Sequence, residues 1–304
     1  MTDRRMTDGL LSLIAELESD RSLPLQDRVR RRIEVLDRLD AYLLIDELPA
    51  PGTHSNDGAA YQRARALCAK LEAANGELYQ AIRDQIQRGD GHDLLLKAID
   101  QAGPDSAAVS CVEGDSYDYL DELISGVLHV EKPAAEVGQL DSEMVFYQPT
   151  PARHIFDLIR QVALTEKDVL VDLGSGLGHV PILAGIGSNA HCIGVELEAA
   201  YVHCARQCAQ ALNLSNVTFV QQDARTADLS AGTVFHLYTP FTGSILRSVL
   251  DSLRKQAAHR EIWICTFGPC SATVAREPWL KSASTPGADR IAVFSSCSWG
   301  QRTR

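Results

Sequence analysis

At 304 residues, 45% hydrophobic and 23% charged, the chain has room for two modest domains or one core with a large extension. Its formal charge of −11 lies wholly in the first part, where residues 1–140 hold 15 Lys+Arg against 26 Asp+Glu, while residues 141–304 hold 14 against 14. That distribution disfavours nucleic acid as a partner, because phosphate binding needs a basic face. No apolar run reaches the roughly 18 residues of a membrane span, so no membrane partner is expected.

Residues 1–5 carry arginines but no apolar h-region, so no signal peptide is expected and the expected location is cytoplasmic. The eight cysteines form no Cys-x-x-Cys pair and are expected to be reduced core thiols. His203, Cys204 and Cys208 share a helical spacing, but no second ligand pair stands nearby, and no metal site is expected. Arg28, Arg30, Arg31 and Arg32 read as a solvated helix face rather than a binding patch.

In chain order, Leu10, Leu13, Ile14 and Leu17 fall at helical spacing, and Val29, Ile33, Leu36, Leu39 and Leu43 form a second stripe. Pro49, Pro51 and Gly52 mark a loop, and a long helix is predicted over 59–88, closed by Gly89. A short helix begins at Leu94 and stops at Gly103-Pro104, and the acidic, aromatic stretch 113–122 starts another that runs to Leu128. Pro133 and Gly138 suggest a linker near 131–142. The expected division is therefore a helical N-terminal domain, 1–140, serving in acceptor recognition or as a lid, and a second domain, 141–304.

From Pro151 the pattern changes. A helix with Ile155, Leu158, Ile159 and Val162 on its apolar face is followed by alternating strand-like and helix-like segments. Strands are predicted at 169–173, 192–195, 217–220, 234–238 and 262–267, with helices near 179–187, 198–212, 243–257 and 270–276. This alternation is the mark of an α/β fold with a parallel sheet covered on both faces. The last two strands, 279–284 and 291–298, have no helix between them and read as a terminal antiparallel hairpin.

The chemistry is carried by Asp172-Leu173-Gly174-Ser175-Gly176-Leu177-Gly178, where the first strand meets its helix. Glycines there let the backbone turn sharply and approach a ligand. A dinucleotide fingerprint would put its third glycine at His179, so the spacing disfavours a nicotinamide cofactor. Asp172 before the glycines suits a ligand with a cationic amino group. Glu196 ends the second strand, 24 residues after Asp172, as expected for a carboxylate accepting two ribose hydroxyls, with Leu197 beside it. Asp223 follows the third strand, placed for an adenine amine, with the Ala224 amide completing the base contact. Glycine loop and two acids, in order at three successive strand ends, make one constellation.

These residues resemble the S-adenosylmethionine-dependent methyltransferases of the Rossmann-like, seven-strand class, over roughly residues 145–304. The resemblance implies S-adenosylmethionine as cofactor, and the terminal hairpin agrees with it. It implies that Asp172, Gly174, Ser175, Gly176, Gly178, Glu196, Leu197, Asp223 and Ala224 bind that cofactor. Tyr147 and Thr150 resemble the lead-in segment that closes over it, although Thr150 before Pro151 equally fits an ordinary helix cap. The loop through His179-Val180 looks most like that of the non-SET histone lysine methyltransferases. The segment Leu237-Tyr238-Thr239-Pro240-Phe241-Thr242-Gly243 departs from their asparagine-rich sequence, and it lacks the Asn/Asp-Pro-Pro-aromatic signature of nucleic-acid amino methyltransferases. Tyr238 and Thr239 are the expected acceptor-side catalytic residues, Tyr238 also touching the cofactor, or else both merely shape the loop. His179 reads as packing or a cofactor-side contact, and His236 as a satisfied core residue. The reaction implied is in-line methyl transfer to an unidentified protein side chain or small molecule. The alternatives are a non-catalytic S-adenosylmethionine-binding or scaffold protein, or another Rossmann enzyme such as an aminopropyltransferase.

Overall fold

A computed structural model describes residues 2–44, 55–90, 93, 95–97, 99, 116–131, 133, 141–282 and 287–296. Four helices precede the sheet: α1 (Thr2–Ser19), α2 (Val29–Leu44), α3 (Ser55–Arg88) and α4 (Tyr119–Leu128). Then come α5 (Ala152–Val162), β1 (Val169–Leu173), α6 (His179–Ser188), β2 (His191–Glu196), α7 (Ala199–Ala211), β3 (Val217–Gln221) and β4 (Val234–Leu237). The chain closes with α8 (Gly243–Ala257), β5 (Trp263–Thr266), α9 (Cys270–Val274), β6 (Lys281–Ser282) and β7 (Ala292–Ser295). The described residues of 93–99 are helical, and most of the linker expected near 131–142 lies outside the described residues.

The sheet runs β3-β2-β1-β4-β5-β7-β6. Strands β1 to β5 are parallel, and β7 lies antiparallel between β5 and β6. The chain therefore reverses its lateral direction between β3 and β4, leaving a switch point at the carboxyl ends of β1 and β4, where ligands of such sheets sit. Alternation along β1 assigns its faces: Leu170 packs with α5, α6 and α7, whereas Val171 and Leu173 pack with α8 and α9. Strand β4 ends at Leu237, one residue earlier than predicted, because Thr239 turns to φ +39° and takes Tyr238 into the loop.

Helix α3, about 50 Å long at 1.5 Å per residue, joins two cores. Its first half (Ala60, Ala64, Leu67, Leu71) packs with α1 and α2, and its second half (Leu78, Ile82, Ile86) enters the core under the sheet with α4 and α5. That second core holds residues from both sides of position 140. Polar bonds tie the same seam: Gln87 Nε2 donates to Ala211 O at 2.8 Å, and Cys208 Sγ to Leu128 O at 3.3 Å. Arg32 corrects the solvated-face reading. It is fully buried, donating to Asn75 Oδ1 at 2.6 Å, to Leu23 O at 2.9 Å and to Leu25 O, while Arg30 and Arg31 pair with surface acids. Cys68, Cys192, Cys204, Cys208, Cys265 and Cys270 are buried and in no disulfide.

Candidate functional site

A cavity of about 1140 Å³ opens at the carboxyl ends of the parallel strands. It exceeds the roughly 300–1,000 Å³ typical of a small-molecule site, leaving room for a nucleoside-sized ligand and a second molecule. Of the residues expected to form the site, Tyr147, Thr150, Asp172, Gly174, Ser175, Glu196, Leu197, Asp223, Ala224, Tyr238 and Thr239 line this one cavity. Gly176 and Gly178 do not; they shape it from behind.

The glycine loop is built on close approach. Gly174 has φ +83°, and a Cβ there would lie 2.3 Å from Pro240 Cβ, so the loop after β4 rests directly on it. Gly176, at φ +52°, lies under the Tyr147 ring, where a Cβ would meet Cε2 at 2.0 Å. Gly178 accommodates the Phe219 ring. Only glycine fits such contacts.

Glu196 is held by the loop it faces. Its Oε2 accepts from Gly176 N–H at 2.8 Å and its Oε1 from Glu198 N–H at 2.9 Å. Each oxygen keeps further lone-pair capacity for a ligand hydroxyl. Burial raises its pKa above the ordinary carboxylate range, opposed by those backbone bonds. Asp172 is buried, and its Oδ1 lies 2.7 Å from Nδ1 of His236 on the adjacent strand, its register partner. Asp223, expected to accept an adenine amine, already has a partner. Arg225 grips both its oxygens, with Nε at 3.0 Å from each and Nη2 at 2.6 Å from Oδ2, and this hydrogen bonding lowers the Asp223 pKa. The sequence reading missed Arg225, although its spacing two residues past Asp223 was a usable signal.

The lead-in segment covers the loop. Tyr147 Oη lies 3.1 Å from His179 Nδ1 and its ring 5.1 Å from that of Tyr201. Burial lowers the His179 pKa to about 4 and raises that of Tyr147, so both remain neutral. Thr150 lines the cavity and makes no cap. The first amide of α5, Ala152 N–H, donates instead to Asp121 Oδ1 of α4 at 2.7 Å. Tyr117 Oη donates to Pro149 O at 2.8 Å and Arg153 pairs with Asp118 at 3.2 Å, so the helical half anchors this segment at three points.

On the other side, Tyr238 packs against Phe267 with ring centroids 4.6 Å apart. The Thr239 hydroxyl is already engaged, donating to Phe267 O at 3.0 Å and accepting from Cys270 N–H at 3.1 Å. It holds the loop and has no proton left for an acceptor. His236 is satisfied on one side only: Nδ1 meets Asp172, while Nε2 is buried without a partner, on a residue that lines the cavity. The register of β4 against β1 sets His236 opposite Asp172, which alternation along β4 alone does not reveal. Among the described residues, no cluster of His, Cys, Asp or Glu is arranged to hold a metal, and no helix is long and apolar enough to cross a membrane.

Residues 164–258 match the family model described as a methyltransferase domain. Among solved structures, the chain is similar to an RNA methyltransferase from Salinibacter ruber in complex with S-adenosyl-L-homocysteine, at 26% identity and TM-score 0.40, covering 49% of this chain and 92% of that one. It is similar to precorrin-6y C5,15-methyltransferase from Geobacter metallireducens at 17% identity and TM-score 0.39, covering 50% and 92%. A third likeness is to magnesium protoporphyrin IX methyltransferase from Synechocystis with bound S-adenosylmethionine, at 18% identity and TM-score 0.36, covering 46% and 74%. No curated protein matches the chain.

Proposed function

We propose that this chain is an S-adenosylmethionine-dependent methyltransferase that methylates an amine nitrogen presented at the loop after β4. The observation that carries the cofactor's placement is Glu196, a half-buried carboxylate pinned by two backbone amides at the end of β2 and lining the cavity. When bound, S-adenosylmethionine supplies an electrophilic methyl group on a sulfonium. In this reading Glu196 accepts the ribose hydroxyls, Asp223 and Ala224 meet the adenine, and Asp172 takes the amino group. Tyr147 and Thr150 close the lead-in side, and Leu197 covers the adenosine edge. Tyr238 borders the acceptor, and its ring, with Phe241 and Phe267, keeps water away.

Two observations support an amine. No Lys or Arg stands among the described residues lining the cavity, which leaves an anionic acceptor without a counter-charge. The likeness of the glycine loop to the non-SET histone lysine methyltransferases points to a lysine-type side chain. A small-molecule amine shares the same chemistry. The helical half would act on either through the lead-in segment it anchors, and the reduced, buried cysteines favour a cytoplasmic enzyme.

The test has two arms. Calorimetric titration with S-adenosylhomocysteine should show saturable binding. Mass spectrometry of lysate incubated with the enzyme and isotopically methyl-labelled cofactor should place the label on amine nitrogen, the protein and metabolite fractions distinguishing the two sources. Label confined to carboxylates or nucleic acid would overturn the amine reading, and no binding would overturn the cofactor reading.

A further inference from the structure

The glycine loop uses its backbone donors inside the protein. Gly174 and Ser175 N–H donate to Val195 O at 2.8 and 3.1 Å, Gly176 N–H to Glu196 Oε2 at 2.8 Å and Gly178 N–H to Ser175 O at 2.9 Å. A ligand carboxylate finds no free donor in those four amides, and no Lys or Arg among the described lining residues. The cofactor's amino-acid end carries such a carboxylate, and leaving it undonated in a partly closed site would be costly.

Two buried side-chain atoms on cavity-lining residues have no partner: Ser175 Oγ and His236 Nε2, on residues 5% and 1% exposed. Of the two, only the imidazole can also carry a compensating positive charge. Its orientation is imposed. Asp172 sits opposite His236 in the β1–β4 register, and its Oδ1 accepts from Nδ1 at 2.7 Å, so Nε2 is the ring atom left for a ligand. A buried polar atom without a partner calls for an explanation, and a ligand in the adjoining cavity is one.

Resting on the cofactor reading above, we propose that His236 is the recognition residue for the α-carboxylate of S-adenosylmethionine. Nδ1–H is held by Asp172 and Nε2–H donates to the carboxylate, while Asp172 Oδ2 remains for the neighbouring ammonium. Donation from both nitrogens sets the ring between two carboxylates, in a cavity that no described Lys or Arg lines.

The experiment compares three ligands by calorimetry: S-adenosylhomocysteine, its decarboxylated analogue, and 5′-methylthioadenosine, which lacks the whole amino-acid end. His236→Asn keeps an amide near the Nδ1 position for Asp172 and removes Nε2. His236→Gln extends an amide toward the Nε2 position. For His236→Asn the expected loss on S-adenosylhomocysteine is about 10–100-fold, with the other two ligands within about twofold of wild type. His236→Gln should recover most of that loss, since its amide can still donate. Equal losses on all three ligands, with circular dichroism unchanged, would make the role structural and overturn the proposal. Equal losses on S-adenosylhomocysteine and its decarboxylated analogue would assign Nε2 to the ammonium and overturn it too. Wild-type protein binding none of the three would overturn the cofactor reading itself, and this inference with it.

Discussion

The helical half and the sheet half share a core but not a site. Residues from α2, α3 and α4 pack in one cluster with α5, α6 and β1, yet no described residue before Met144 lines the cavity. The helical half reaches the site only at second hand, through Asp118, Asp121 and Tyr117 on the segment that carries Tyr147 and Thr150. Sequence position and charge separate the halves sharply, while burial joins them. An acidic surface on one half therefore says little about its independence, because core continuity is set by apolar faces that charge counting does not see.

The most severe test of this comparison is to remove residues 1–130. That deletion strips α3 and α4 from the sheet-side core and uncovers the apolar faces of α5 and α7, so the remainder should aggregate or lose its cooperative thermal transition. Size-exclusion chromatography and scanning calorimetry read the outcome. A monodisperse truncation binding S-adenosylhomocysteine at full affinity would show two independent units.

Within the sheet half the largest single effect is expected at Glu196. On the proposed cofactor reading, Glu196→Ala removes the acceptor for the ribose hydroxyls and unpins Gly176, and should weaken S-adenosylhomocysteine binding by about 2–4 kcal/mol, a factor of roughly thirty to a thousand. Burial holds this carboxyl's pKa above its ordinary value, so affinity should fall as the pH drops through that raised range and the group protonates. Glu196→Gln should bind less tightly at neutral pH and lose that acid limb. An unchanged pH profile in the glutamine variant would move the limb to another group.

Asp121 tests the seam. Its carboxylate accepts Asp118 N–H at 2.7 Å to complete the α4 capping box and Ala152 N–H at 2.7 Å to start α5. Asp121→Ala leaves two helix-terminal donors unpaired and should cost about 1–3 kcal/mol in chemical denaturation. If the seam is what orders the lead-in segment, cofactor affinity falls along with stability. A stability loss with binding intact would confine the helical half to a purely structural role.

The smallest expected effects lie at the loop after β4, and they split between its two candidates. Thr239→Val removes a hydroxyl that bridges Phe267 O and Cys270 N–H, so about 1–2 kcal/mol of stability should go. Tyr238→Phe should lower turnover several-fold, by less than about 2 kcal/mol, with cofactor affinity and melting temperature unchanged. The reverse pattern would exchange their roles.

Most of the architecture was legible in the sequence. Strand β1 falls where its apolar run predicted, α8 spans the predicted 243–257, and the hairpin of β6 and β7 follows the same sequence logic. Boundaries moved by one to four residues, as at β4, where a positive φ at Thr239 ends the strand. The constellation of glycine loop, Glu196 and Asp223 was readable because each element sits at a strand end, and a parallel sheet brings all such ends to one edge.

What the sequence determined by itself is this ordering, since helical and strand periodicities are local and a right-handed parallel crossover leaves little topological choice. What only the tertiary structure decided is lateral. Arg32 is a buried strut because Asn75 and two loop carbonyls converge on it, and Asp121 caps a helix 31 positions away. His236 faces Asp172 because two strands 64 residues apart lie in register. Each depends on the distance between elements remote in sequence, which packing of the whole core sets and no local pattern records.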